Sequence, residues 1–150
     1  MNVGELCTRD VVVCARDDTV LEAARLMRQH HVGCVVVVEG EAGRRVPVGI
    51  VTDRDIVVGL VSRGLDVGTW AVGDVMGANV VTVQQTASDT DAIALLRVHG
   101  LRRLPVVDQA GVLVGIITAD DCIESLAESL TFLARVSGRE RRVEEQIRST

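Results

Sequence analysis

Two stretches of the chain place a hydroxyl and a carboxylate where an apolar run gives way to a helical pattern. They are Gly49-Ile50-Val51-Thr52-x-x-Asp55 and Gly115-Ile116-Ile117-Thr118-x-x-Asp121. Threonine followed three residues later by an acidic group has the spacing of a capping box, in which each side chain satisfies a backbone amide that the first helical turn leaves orphaned. Thr19 with Glu22 and Ser88 with Asp91 repeat the pattern. The neighbouring carboxylates Asp53/Asp55 and Asp120/Asp121 fall in a first helical turn, where the helix dipole favours negative charge, so they read as helix stabilisers rather than as a general acid and base. No nucleophile elbow, phosphate loop, Gly-x-Gly-x-x-Gly or metalloprotease helix is present, and catalysis is not expected. His30, His31, His99 and Cys34 are not spaced to converge as three or four ligands, so no metal site is expected. Cys7, Cys14, Cys34 and Cys122 form no Cys-x-x-Cys pair and read as reduced, structural thiols.

The elements that must position these groups occur twice. Val3-Gly4-Glu5-Leu6 returns as Val72-Gly73-Asp74-Val75, 69 residues on, and the same offset aligns Ala23-x-x-Leu26-x-Arg28-x-His30 with Ala92-x-x-Leu95-x-Arg97-x-His99. Past the middle of each copy the offset becomes 66, aligning Val48 to Asp55 with Val114 to Asp121, which puts a three-residue insertion near Glu41 to Arg45. An insertion belongs in a loop, and a tandem copy is a supersecondary unit used twice. Each copy reads as strand, helix, strand, strand, helix. In the first, strands are expected over 11–14, 34–38 and 46–51, with helices over 19–31 and 53–63, the last stopped by Gly64. In the second, strands fall at 80–83, 104–107 and 112–117, with helices over 88–99 and from Ala119. The apolar runs are short and β-branched, as in strands covered on both faces. The expected boundaries are 1–63 for the first copy, 64–71 for a linker, 72–125 for the second copy and 126–150 for a helical extension. A copy this short has too little interior to stand alone. The two should therefore pack face to face about a pseudo-two-fold axis, with two clefts between them.

Composition narrows the possibilities. Of 150 residues 47% are hydrophobic, 29 of them valine, while the aromatics are Trp70 and Phe132 alone. Base-stacking surfaces need more exposed aromatics than that. The net charge is −5, with all 16 basic residues arginine, so the basic footprint of a nucleic-acid binder is missing. No apolar run reaches the roughly 20 residues of a membrane span, and the start of the chain lacks signal-peptide form. A cytoplasmic location is expected.

With the repeat in view, the chain resembles a pair of CBS domains, the module named after cystathionine β-synthase. The resemblance rests on Val72-Gly-Asp-Val-Met76, on His99-Gly-Leu-Arg-Arg-Leu-Pro-Val-Val-Asp108 and on Val48-Gly-Ile-Val-Thr-Asp-Arg-Asp-Ile-Val57, and it spans about residues 3 to 125. It implies an α/β fold of two βαββα repeats and a regulatory role. The implied ligand is adenosine-containing (AMP, ADP, ATP, NAD, S-adenosylmethionine or a cyclic dinucleotide) and lies between the repeats as a regulatory ligand, not a catalytic cofactor. By the same resemblance Thr52, Asp55, Thr118 and Asp121 match ribose-holding positions. Val12, Val32, Ile50, Val81, Leu101 and Ile116 match positions that sandwich adenine. Arg102 and Arg103 match positions that meet phosphate, with Arg54 a further candidate. The first copy departs from the pattern, having Gly33-Cys34 where the second has Arg102-Arg103.

Two surfaces remain. The expected helix 53–63 carries Ile56, Val57, Val58, Leu60 and Val61, a wider apolar arc than one packing face needs. That arc, like the resemblance, implies a homodimer, and an effector protein would receive the signal. Ile123, Leu126, Ala127, Leu130, Leu133 and Ala134 extend the last helix as an amphipathic stripe, and residues 139–148 are charged apart from Val143, Gln146 and Ile147. The tail reads either as a solvated helix or as a partner-binding one. An assembly module with empty clefts is the alternative to a nucleotide sensor.

Overall fold

In the computed structural model, which describes residues 1–149, the chain forms two three-stranded sheets in identical order. The first repeat contains α1 (Val3–Leu6), β1 (Val13–Ala15), α2 (Val20–His30), β2 (Cys34–Glu39), β3 (Val46–Thr52) and α3 (Asp53–Gly59), followed by a 3₁₀ turn, Val61–Arg63. The second contains α4 (Val72–Val75), β4 (Val83–Gln84), α5 (Asp89–His99), β5 (Arg103–Val107), β6 (Leu113–Thr118) and α6 (Ala119–Arg148). In both sheets the first strand pairs parallel to the second and the second antiparallel to the third. The register slips between Val37 and Val38 and again between Val106 and Val107, equivalent positions at the 69-residue offset.

All four long helices open on the expected capping boxes, at Thr19/Glu22, Thr52/Asp55, Ser88/Asp91 and Thr118/Asp121. Two of them close on left-handed residues. α5 ends at Gly100 in the left-handed region (φ 63°), while α2 ends at His31, the one non-glycine residue with positive φ among those described (φ 54°). His30 and His99 occupy equivalent last turns, where a cation meets the carbonyl end of the dipole.

The structure corrects several boundaries. The expected strands at 11–14 and 80–83 pair later and for less length, because Val11, Val12, Val80 and Val81 face the space between the repeats. The helix expected over 53–63 is interrupted. Leu60 leaves helical geometry (φ −120°, ψ −57°) after Gly59, a weak helix former, and the chain turns into 3₁₀ before Gly64. The last helix runs unbroken for 30 residues straight through Gly138.

The lead-in segments hold what the repeat pattern alone does not show. α1 precedes the first repeat but packs on the second: Val3 and Gly4 amides donate to the carbonyls of Ala87 and Gln85, both at 2.8 Å. α4 does the reverse, its Val72 and Gly73 amides donating to Asp18 and Arg16 at 2.8 and 2.9 Å. The bridges Asn2↔Ser88 and Thr19↔Ala71 complete the exchange. Val72 is thus fully buried in the core of Val20, Ala23, Met27, Val35, Val37, Val51 and Ile56, and Val3 in that of Val83, Ala92, Leu96, Leu104, Val106 and Ile117. Burying one valine contributes about 2 kcal/mol, so each repeat is completed by the other's lead-in. The exchanged chains then cross the third strands at Gly49 and Gly115. A Cβ at Gly49 would collide with Met76, and one at Gly115 with the Cys7 sulfur and the Thr8 carbonyl oxygen, 2.9 Å away.

Val3→Ala should lower stability by about 2 kcal/mol and speed amide exchange first in α5 and β5 of the second repeat. Faster exchange confined to α2 and β2 would contradict the exchange of lead-ins. Gly115→Ala, which forces a backbone oxygen to move, should cost about 1–3 kcal/mol in denaturant titration.

Candidate functional site

Two clefts open between the repeats, and each is lined by residues from both. The larger, about 550 Å³, takes Ile50, Thr52, Asp53, Arg54 and Asp55 from the first repeat and Gly77, Asn79, Val80, Val81, Gly100, Leu101, Arg102 and Arg103 from the second. The smaller, about 230 Å³, is lined by Thr8, Asp10, Val11, Val12, Val32, Gly33, Cys34 and Val36 with Arg103, Ile116 and Thr118. Only the larger falls within the roughly 300–1,000 Å³ usual for small-molecule sites.

Of the positions expected to hold ribose, base and phosphate, the larger cleft gathers Thr52, Asp55, Ile50, Val81, Leu101, Arg54, Arg102 and Arg103. The smaller gathers Val12, Val32, Ile116 and Thr118 and shares Arg103. Asp121 is not among the residues of its wall. Both Thr–Asp pairs are working caps, with different geometry. In the larger cleft the Thr52 amide donates to Asp55 Oδ2 at 2.9 Å and the Asp55 amide to Thr52 Oγ1 at 3.1 Å. Asp55 Oδ1 has no hydrogen-bond partner among the described residues, and the Thr52 hydroxyl proton is not committed to the carboxylate. In the smaller cleft the Thr118 amide and hydroxyl both donate to Asp121 Oδ2, at 2.7 and 2.8 Å. The hydroxyl is thus held within that cap, while Asp121 Oδ1, like Asp55 Oδ1, has no hydrogen-bond partner among the described residues.

Charge divides the clefts further. Three arginines face two aspartates in the larger, whereas Arg103 and Asp10 face each other's fields in the smaller. The equivalent of Asp10 in the larger cleft is Asn79, and the equivalents of Arg102 and Arg103 in the smaller are Gly33 and Cys34. Arg102 is solvated, 3.6 Å from an equally exposed Asp120, an arrangement of small energetic consequence. Arg103 is half-buried. Its guanidinium lies against Gly33, where a Cβ would stand 3.5 Å from it and 3.4 Å from the Asp53 carboxylate. It is also close enough to act on the Cys34 thiol. Burial pushes that thiol above its ordinary value, Arg103 pulls it down, and Asp53 pushes it up again. Cys14 and Cys122 are buried in the two cores, and burial first, then nearby carboxylates, raises both thiols, Cys14 to about 11.

Asn79, Asp10 and Gly77 were not singled out from the sequence. They carry no motif, but the 69-residue offset pairs Asp10 with Asn79 beside the valines that were. Among the described residues no group of three or more His, Cys, Asp or Glu side chains is arranged to hold a metal ion, and no helix is long and apolar enough to cross a membrane.

Removing the guanidinium of Arg103 leaves burial and Asp53 unopposed at Cys34. Arg103→Ala should therefore raise the Cys34 thiol and slow its alkylation at pH 8.5, because less thiolate is present. Unchanged or faster alkylation, read site by site after proteolysis, would place the cation elsewhere.

Comparison with known proteins gives the same organisation. The CBS domain model matches residues 3–62 and again 72–128. The chain is 37% identical over 124 residues to an uncharacterized protein of Methanopyrus kandleri, covering 83% of this chain and 62% of that one. It is 39% identical to the CBS domain-containing protein YhcV of Bacillus subtilis over 120 residues, 80% of this chain and 81% of that one. Among solved structures, a CBS domain protein of Pyrobaculum aerophilum complexed with AMP superposes with a TM-score of 0.73 at 27% identity, covering 81% of this chain and 89% of that one. With both repeats matched in order, over most of its length, the chain belongs to the CBS domain family.

Proposed function

We propose that this chain is a regulatory module that binds an adenine nucleotide in the larger cleft and passes its bound state to an effector protein. The observation that carries this reading is the gathering, in one cleft of about 550 Å³, of apolar walls, an uncommitted carboxylate oxygen and three arginines. Ile50, Val81 and Leu101 offer a slot for a flat base. Asp55 Oδ1 accepts from ribose hydroxyls while Oδ2 keeps the cap, so one residue serves helix and ligand together. Arg103, with Arg54 and Arg102 beside it, takes the phosphate through charge-assisted hydrogen bonds. The AMP complex of the Pyrobaculum relative supports the ligand class. The smaller cleft, at about 230 Å³ with Asp10 in its wall and Asp121 outside it, favours a single nucleotide per chain.

No step in this role breaks a bond. The ligand acts by binding one arrangement of repeats or subunits better than another, and its differential affinity sets how far the population moves. The working unit is a homodimer. Val57, Val58 and Val61 on α3 and the 3₁₀ turn are each more than half exposed, while Ile56 and Leu60 fill the core, which leaves the surplus apolar arc for a second chain.

Calorimetry with AMP, ADP and ATP tests the reading directly, and the absence of heat with all three would leave the assembly role. Asp55→Asn keeps an oxygen for the cap but removes the charge, so affinity should fall about tenfold with little change in melting temperature. Arg103→Ala should weaken AMP by about 10- to 100-fold and adenosine hardly at all. Equal losses for both ligands would mean that Arg103 does not read phosphate.

A further inference from the structure

Beyond the second repeat, α6 carries an apolar seam of its own. Every residue from 126 to 149 is exposed, yet the stretch includes Leu126, Leu130, Phe132, Leu133, Val136, Val143 and Ile147. Leu126, Ser129, Leu133, Val136, Glu140, Val143 and Ile147 follow one another at alternating steps of three and four. A helix packed on a globular core repeats every 3.6 residues over a wide arc. A stripe with a mean step of 3.5 is the seam of a supercoiled helix pair; here five of its seven positions are apolar, Ser129 and Glu140 are the exceptions, and Leu130 and Phe132 widen its first half on either flank. Gly138 falls at the outermost heptad position, where an added Cβ would meet nothing within 4 Å.

The flanks of the seam specify the occupant. In a parallel, in-register pair a residue on one flank meets the residue five positions further along the partner helix. The charged instance here is Arg139 with Glu144 of the partner subunit, of opposite sign and made twice. Glu140, the one carboxylate on the seam, then lies beside Arg139 of the partner subunit. An antiparallel pair would set like flanks together, Phe132, Arg139 and Gln146 on one side and Leu130, Ser137 and Glu144 on the other, and would leave Arg139 and Glu144 without this opposite-sign pairing. In the single chain Glu144 lies 3.9 Å from Arg148, an exposed intrahelical contact.

We propose that residues 126–147 form a parallel two-stranded coiled coil with the same segment of a second copy of this chain. It goes beyond the nucleotide reading and needs only that two chains meet.

The test uses the full chain without nucleotide, so a failure of nucleotide binding is a separate result. Sedimentation equilibrium should show Leu133→Glu weakening self-association at least about tenfold and Glu140→Leu tightening it about tenfold, with circular dichroism confirming that the repeats remain folded. Val143→Cys should oxidise to a disulfide joining position 143 to itself, assigned by peptide mapping against the native thiols. The proposal stands only if that bond forms and the two substitutions move the constant in opposite directions. Any other combination overturns it.

Discussion

The exchange of two short lead-in helices governs the rest of this molecule. Neither repeat owns its whole core: Val3 completes the second and Val72 the first. A half that separated would expose its own apolar interior as well as the shared face, so the repeats fold as one unit. The crossing chains also build the clefts. After α1 the backbone passes Gly115 and continues as Thr8 to Val12, and after α4 it passes Gly49 and continues as Gly77 to Val81. Those two passages are the floors on which a ligand would rest. The glycines preceding the Thr–Asp motifs therefore belong to backbone crossing, whereas the threonines and aspartates belong to the helix that follows.

A pseudo-symmetric frame makes two sites, and point differences make them unequal. Asn79 against Asp10, Arg102 against Gly33 and Arg103 against Cys34 all shift positive charge toward the larger cleft. Arg103 is the hinge of this asymmetry, since it lines both cavities while its counterpart is a thiol. One guanidinium cannot saturate two anions at once.

The repeat, the strand and helix types and the capping boxes were legible in the sequence because each rests on local spacing or on comparison of one copy with the other, whereas Ile50, Val81, Leu101, Arg102 and Arg103 were named through the family resemblance and Gly77 and Asn79 not at all. What was not legible depends on partners far along the chain. Val3-Gly4-Glu5-Leu6 reads as a motif, yet nothing in its own residues says that it packs across onto Ala87. Val11–Val12 and Val80–Val81 have the composition of strands and serve as cleft walls. Choosing between those uses requires knowing what stands opposite. The sequence likewise places Arg102 and Arg103 together, but only the folded chain separates the solvated one from the half-buried one. The break at Leu60 came from Gly59, whose weak helix propensity an apolar pattern does not register.

The length of α6 has a mechanical meaning. The helix starts at Thr118, whose side chain belongs both to the cap and to the wall of the smaller cleft, and continues to Arg148. At 1.5 Å per residue its far end lies about 45 Å from that wall. A rigid rod of this length is a pointer: tilting its root by about 5° sweeps its tip through about 4 Å. Adjustments between the repeats too small to rearrange either core would thus be magnified at the tip into a displacement as large as a side chain.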